Sequence, residues 1–407
     1  MPVSFENIIA AAADISGVVV RTPTVYSGAL STAYGADIFL KLEVLQRTGS
    51  FKDRGALVKL LSLTNKQKNN GVIAISAGNH AQGVAYHAQR LGIPATIIMP
   101  EATPFNKITR TEAYGARVIL FGESVNAAEP YALELAKSDS LTLVHPYDDD
   151  KIVAGQGTIA LEMLADIEHL DVIVVPIGGG GVIAGIATVA KKLSPKIKII
   201  GVEAEQYPSM YESIHGITPT ARGNTIAEGI AITSPGSTAL DVVRRLVDDI
   251  ILVNEFAIET AIQTMLEMSN ILVEGAGAAP LAALIENHDR FQGKKIGLVI
   301  SGGNIDSRLL SSVLMRGLVR SGRITRLRIT ITDKPGALAN VALQIASLGG
   351  DIIEISHQRL FQDVPAKLAD LDVMIETRDK TQSDLIISLL NSEGFPTRQL
   401  SISDIAS

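Results

Sequence analysis

The stretch GSFKDRGA, residues 49–56, sets one lysine, Lys52, between a bulky ring and an acid just where a helix is expected to begin. A lysine on a helix is ordinarily a solvated charge. The local grammar here points elsewhere. Ser50 and Asp53 have the S-x-x-D/E spacing of a capping box, and Ala56, Leu57, Val58, Leu60 and Leu61 supply the apolar run behind it. Lys52 is therefore expected in the first helical turn. There the positive end of the helix dipole and the neighbouring Arg54 disfavour an ammonium, while Asp53 favours it. Such a placement suits an amine that forms an imine with a carbonyl.

Three further stretches share one plan, a buried strand, a polar or glycine-rich turn and then a helix: SAGNHAQG (76–83), GGGGVIAG (178–185) and SGGNIDS (301–307). Each offers free backbone N–H groups at the C-terminal edge of a parallel sheet, where anions and the ligands of open α/β folds bind. GGGGVIAG also admits a rival reading. Gly179, Gly181 and Ala184 satisfy G-x-G-x-x-A and the next strand ends in Glu203, close to a dinucleotide fingerprint and hence to a nicotinamide-dependent oxidoreductase. That reading leaves Lys52, SAGNH and SGGN unexplained. Four adjacent glycines equally suit a compact monophosphate, and no G-K-[ST] follows to make a P-loop. A lysine placed for imine formation, a loop shaped for one phosphate and a further polar turn together describe a pocket for pyridoxal phosphate.

The elements that must position these residues alternate from about residue 35 to 315. VIAIS (72–76), ATIIMP (95–100), ARVILF (116–121), DVIVVPI (171–177), IKIIGVE (197–203) and KIGLVIS (295–301) are the clearest strands. Their β-branched runs, separated by helical stretches, predict parallel sheet covered on both faces, and the number of crossovers implies more than one sheet. Val172–Ala190 has no charge and nearly the length of a membrane helix, but Pro176 and four glycines interrupt it, so a strand, loop and helix are expected. Near Arg316 the style changes to a basic, alternating stretch that reads as a linker entering a new strand. Beyond it the pattern is β (326–332), α (335–348), β (351–359), β (370–377), α (381–391), β (397–402), the split βαβ plan of ferredoxin-like domains. An RNA-binding version needs aromatics on its central strands, and DIIEISHQR offers none. A purely structural dimerisation module stays open.

Bulk properties exclude several classes. The 407 residues suffice for two or three domains. Apolar residues at 46% with charged residues at 19% describe a folded chain and not a disordered one. A net charge of −7 provides no field for a nucleic-acid backbone. The absence of cysteine removes disulfides, thiolate metal sites and thiol nucleophiles together. The N-terminal MPVSFENIIAAAADISG carries acids, so a first helix is expected there and not a signal peptide, which implies a cytoplasmic protein with no membrane partner.

SFKDRGA, SAGNHAQGVA, HPYDDDKIVAGQGTIALE, GGGGVIAG, EGIAI, VEGAGAAPLAAL and SGGNID, in this order, resemble the threonine/serine ammonia-lyases of the tryptophan-synthase-β-like pyridoxal-phosphate superfamily, fold type II. The match covers nearly all of residues 5–315. The resemblance implies a catalytic domain over 1–320, with a small subdomain at about 48–145 inserted in a larger one, both built on open parallel α/β sheets. The DKPGAL turn (333–338) resembles the ACT domain, which implies a regulatory α+β domain over 325–407 with an amino-acid effector near Asp333 and Gly336 and a homo-oligomer, dimer or tetramer.

The resemblance also implies roles. Lys52 carries pyridoxal 5′-phosphate as an imine and later takes the substrate Cα proton, and Phe51 lines the ring. Asn79 holds the phenolic oxygen; Gly178, Gly179, Gly180 and Gly181 with the Val182 amide hold the phosphate, where relatives more often have leucine or methionine at the last position. Ser301 meets the pyridine nitrogen. Ser76, Ala77, Gly78, Asn79 and His80 receive the substrate, with His80 as loop support. The implied reaction converts L-threonine to 2-oxobutanoate and ammonia, with L-serine as second substrate. Serine racemases carry an acid/base serine where Ala77 stands, so racemisation loses its usual group. Some relatives bind a divalent cation through the acid matching Glu203 and another six residues on; Ser209 occupies that second place, and no metal is expected. The Asp148–Asp150 run reads as a helix cap with a solvated face. A sensor without catalysis is the remaining alternative, and an intact Lys52 argues against it.

Overall fold

In this computed structural model the described residues are 3–358, 365 and 367–400. They form two compact units whose boundary in the chain falls between Ile305 and Asp306. No helix among the described residues is long and apolar enough to cross a membrane.

The first unit holds two sheets. The larger contains β1 (Thr24–Tyr26) and β2 (Asp37–Leu42), and the smaller contains β3 (Val72–Ile75), β4 (Ala95–Met99), β5 (Arg117–Leu120) and β6 (Thr142–Leu143). β7 (Val172–Pro176), β8 (Lys198–Ala204), β9 (Asp249–Val253) and β10 (Lys295–Ile300) return to the larger one. Its order is β1-β2-β10-β7-β8-β9, parallel except for the β1–β2 pair. The smaller sheet, β5-β4-β3-β6, is parallel throughout. β3, β4 and β7 are buried along their whole length, which explains their unbroken apolar runs. The expected first helix spans Phe5–Ile15 behind a Ser4/Asn7 capping box.

One helix, Asp150–Asp166, ties the future site together. It approaches the Lys52–Leu61 helix so closely that a Cβ built on Gly155 would lie 2.6 Å from Gly55 Cα. On another side it meets the Gly181–Leu193 helix, where a Cβ on Gly185 would lie 2.6 Å from Gly157 N. The helix that begins at Lys52 and the helix that begins at the glycine turn thus pack against a common support. Backbone contact this tight leaves little room for either to shift.

The second unit opens with the helix Ser307–Arg320, so residues 316–320, expected as linker, are helical; Val313 and Gly317, one turn apart, are its buried positions. β11 (Ile324–Thr332), β12 (Asp351–Gln358), β13 (Leu368–Glu376) and β14 (Thr397–Gln399) form an antiparallel sheet in the order β12-β13-β11-β14, with helices Ala337–Ser347 and Lys380–Ser392 between them in the chain. This is the ferredoxin-like plan. Residue 359 of one expected strand and residues 401 and 402 of another lie outside the described residues. DIIEISHQ proves to be an edge strand, so the aromatic test belongs to β11 (ITRLRITIT) and β13 (LADLDVMIE); neither contains an aromatic residue.

Candidate functional site

Lys52 is the first residue of its helix, half-buried, with Nζ donating to Pro146 O at 2.7 Å and lying 5.3 Å from the Phe51 ring centroid. Burial pulls its pKa down to about 8, against an opposing pull from the Glu274 carboxylate. A larger share of the amine is therefore neutral near pH 7 than for an ordinary lysine.

The local causes differ from those expected. No Ser50–Asp53 capping box forms: Phe51 occupies the N-cap, and the Ser50 hydroxyl is buried without a protein partner while its backbone bridges to Gly302. Asp53 instead accepts from Thr48 N at 3.2 Å and from the Thr48 hydroxyl, and burial still lifts it to about 6. Arg54 does not press on Lys52, because two carboxylates compensate its charge. Its Nε and Nη2 each lie 2.8 Å from Glu43, and Nη1 lies 2.7 Å from Glu162.

The SAGNH turn follows β3 and opens the helix Asn79–Leu91 behind Gly78 as N-cap. Ser76 Oγ accepts from Gly78 N at 3.1 Å, and the first bond back into the turn is Gln82 N to Gly78 O, so the Asn79, His80 and Ala81 amides have no intrahelical acceptor. Ala77 brings no polar side chain to this turn. Asn79 Nδ2 gives one proton to Glu274 Oε1 at 2.6 Å and keeps a second to offer; Asn304 Nδ2 donates to Asn79 Oδ1 at 2.8 Å. His80 donates from Nε2 to Val144 O at 2.8 Å, and burial, reinforced by Lys52, pushes its pKa down to about 3. A neutral imidazole there braces the turn.

The glycine turn follows β7. A Cβ on Gly179 would lie 2.1 Å from the Tyr147 ring, one on Gly180 2.5 Å from Met210 Cε, and one on Gly181 2.9 Å from Tyr147 O. Gly180 also has φ +92°. No other residue fits this run. Ala184 N bonds back to Gly180 O at 3.0 Å, so the amides of Gly181, Val182 and Ile183 point outward from a helix N-terminus without intrahelical acceptors. Gly178 completes the turn, a built Cβ lying 3.1 Å from Gly229 O. A cradle that side chains would fill, with outward amides, fits a single phosphate group.

Ser301, buried at the end of β10, accepts from Phe51 N through its carbonyl at 3.0 Å, joining the third turn to the lysine. The rival acid is committed elsewhere: Glu203 is buried and accepts from Met210 N and Tyr211 N at 2.8 Å each, so it offers no ribose ligand. Asp149 caps the Asp150–Asp166 helix through Lys151 N and Ile152 N, and Asp148 accepts from Ser237 and Thr238. The described residues contain no cluster of three or more His, Asp or Glu able to hold a metal.

Glu274 was not foreseen. It precedes the Gly275–Glu286 helix as N-cap yet makes no capping bond, and it links to both Asn79 and Lys52 electrostatically; burial lifts its pKa to about 7. The available signal was a lone acid before a run of glycine and alanine.

Comparison with known proteins agrees with this geometry. The family model described as "Pyridoxal-phosphate dependent enzyme" matches residues 15–302. An L-threonine ammonia-lyase of Thermotoga maritima is 41% identical over 97% of this chain and 99% of its own length. The catabolic L-threonine dehydratase TdcB of Staphylococcus aureus is 47% identical over 78% of this chain and 93% of its own. Among solved structures, threonine deaminase isoform 2 of Solanum lycopersicum is 33% identical with a TM-score of 0.72, covering 77% of this chain and 90% of that one. Serine racemase of Dictyostelium discoideum is 34% identical with a TM-score of 0.70, covering 75% and 100%. With a lysine amine, a phosphate-shaped cradle and a family match spanning both sheets, this chain belongs to the pyridoxal-phosphate-dependent enzymes.

Proposed function

We propose that the chain is an L-threonine ammonia-lyase that forms 2-oxobutanoate and ammonia and accepts L-serine as second substrate. The observation that carries this reading is the half-buried amine of Lys52, lowered to about 8 and held on the same helical support as the glycine cradle. Two of the relatives named above, 41% and 47% identical to this chain, are a threonine ammonia-lyase and a threonine dehydratase.

Bound pyridoxal phosphate supplies an aldehyde for covalent capture and a ring that withdraws electrons from the substrate Cα. The outward amides of Gly181 and Val182, with the helix dipole behind them, hold its phosphate. The amides that begin the Asn79–Leu91 helix would receive the substrate carboxylate, and the Asn79 side chain would meet the phenolic oxygen. Lys52 Nζ would take the Cα proton. Ser301 would meet the ring nitrogen with a neutral hydroxyl, which would not enforce protonation there and would favour elimination over transamination. Ala77 provides no proton on the opposite face, and this favours elimination over racemisation.

The test is turnover by the cofactor-loaded protein: threonine should yield equal amounts of 2-oxobutanoate and ammonia without added nicotinamide. Turnover that depends on a nicotinamide would overturn the proposal.

Covalent capture needs the neutral amine, so its rate in cofactor-stripped protein should rise with pH and level off above about 8, instead of climbing past 10 as for a free lysine. Glu274 favours the charged amine. Glu274→Gln should therefore move the limb to lower pH, by about half a unit to one unit. Stopped-flow absorbance of the imine band checks both.

In the second unit, Gly336 at φ +89° forms the N-cap of the Ala337–Ser347 helix, and Asp333 N donates to Lys367 O at 3.0 Å. This turn is proposed to receive a small amino-acid effector in a cytoplasmic dimer or tetramer. Threonine saturation measured against isoleucine, valine and other branched-chain amino acids should shift about 5-fold or more for one of them. Asp333→Ala should remove that response. Indifference to the whole panel would overturn the effector site, and inhibition by isoleucine would mark a biosynthetic enzyme.

A further inference from the structure

The short segment Val144–Tyr147 touches Lys52, the SAGNH turn and the glycine cradle. Val144 N donates to Ile73 O at 2.9 Å, extending the β3–β6 ladder, and Val144 O accepts from His80 Nε2 at 2.8 Å. His145 Nδ1 accepts from Tyr147 N at 3.3 Å and from Asp148 N at 2.8 Å. Tyr147 Oη donates to Ser234 O at 3.1 Å, and its ring closes on Gly179. Pro146 has no N–H, so its carbonyl is its single polar group. That carbonyl accepts from Lys52 Nζ at 2.7 Å.

We propose that Val144–Tyr147 is a strap that positions the Lys52 amine: the Pro146 carbonyl is the dock the amine occupies whenever it is not covalently engaged, and His80 is the positioning residue that fixes the strap. The inference deepens the reading of Lys52 given above and rests on it.

The charged groups around the amine fit this role. His80 donates from Nε2, which leaves Nδ1 bare and buried, and burial keeps the ring neutral. His145 receives two backbone protons on Nδ1, so its single proton sits on Nε2, and burial lowers it as well. Two imidazoles therefore lie within electrostatic reach of Lys52 without adding positive charge. Among the described residues, Glu274 is the remaining charged group that acts on the amine. With one N–H spent on Pro146 O, the neutral amine keeps its lone pair in one of the two remaining positions on nitrogen, and the protonated amine gains a stronger, charge-assisted bond. The strap thus sets where the Cα proton is received and steadies the form that carries it.

The experiment titrates Lys52 in cofactor-free protein, by reductive methylation with formaldehyde across a pH series and mass-spectrometric counting at that residue. His80→Phe removes the donor to Val144 O, and the charged amine loses its well-placed acceptor. The titration midpoint should fall by about one pH unit. His80→Gln, whose amide N–H can reach the same carbonyl, should return it close to the wild-type midpoint. In loaded enzyme His80→Phe should lower kcat about tenfold with little change in KM. Thermal melts establish that each variant is folded. Should His80→Phe fail to fold, Pro146→Ala keeps the carbonyl but frees the backbone, and a smaller downward shift is expected there. A wild-type midpoint in whichever of these two variants folds, or equal shifts in the phenylalanine and glutamine variants, overturns the strap. Those outcomes leave the covalent role of Lys52 standing, whereas retained turnover in Lys52→Ala overturns that role and not the titration result.

Discussion

Lys52→Ala is expected to abolish ammonia release from threonine, by about 10⁴-fold or more, while leaving the fold intact. The side chain is half-buried and donates one hydrogen bond, to Pro146 O, from an amine whose charged form burial disfavours. Its removal should therefore cost the fold only about 1–2 kcal/mol. Two measurements separate chemistry from stability. The first is keto-acid production beside a thermal melt. The second is protein mass after borohydride treatment, which should record a trapped cofactor in the wild type and none in the variant. A small added amine should restore part of the turnover. Substantial activity in the alanine variant would refute the assignment.

Arg54→Met should produce the largest loss of stability. The guanidinium is buried and spans Glu43 and Glu162, with Thr158 Oγ1 at 3.1 Å; Lys41 is buried beside it, 2.5 Å from Glu162. Removing the arginine leaves two carboxylates with one lysine. Breaking a buried pair from one side costs about 3–5 kcal/mol, because the survivors are desolvated and uncompensated. A drop in Tm of roughly 10 °C is expected. Arg54→Met combined with Glu43→Gln should recover part of that loss, and the double-mutant cycle measures the coupling. A change below about 1 kcal/mol would show that water reaches the cluster.

The sequence made the chemistry more legible than its support. Lys52, the glycine turn and the SAGNH turn are local signals, each written within eight residues, and the split βαβ pattern of the second unit is equally short-range. Both sheets were read incompletely. β1 and β6 are three and two residues long, too short to carry a period, and β2 contains Lys41, a charge that pattern reading assigns to the surface. Lys41 is tolerated inside because Glu162 lies beside it, 121 positions along the chain. Arg54 has the same explanation, and Glu274 meets Asn79 from 195 positions away. The capping box failed for a related reason. Thr48 outcompeted the helix terminus for the Asp53 carboxylate once both were buried. The DIIEISHQ segment was tested as a central strand because strand order is not written in local pattern.

The place of β10 bears on how the chain is made. It pairs with β2 on one side and β7 on the other, and those two strands do not pair with each other. During synthesis the halves of the larger sheet stay unjoined until residues 295–300 have left the ribosome. The smaller sheet, complete once residue 143 has emerged, can gather its strands long before then. The edge of β2 waits from residue 42 to residue 295, more than half of translation, and that of β7 from residue 176, and over this interval a chaperone has most to protect.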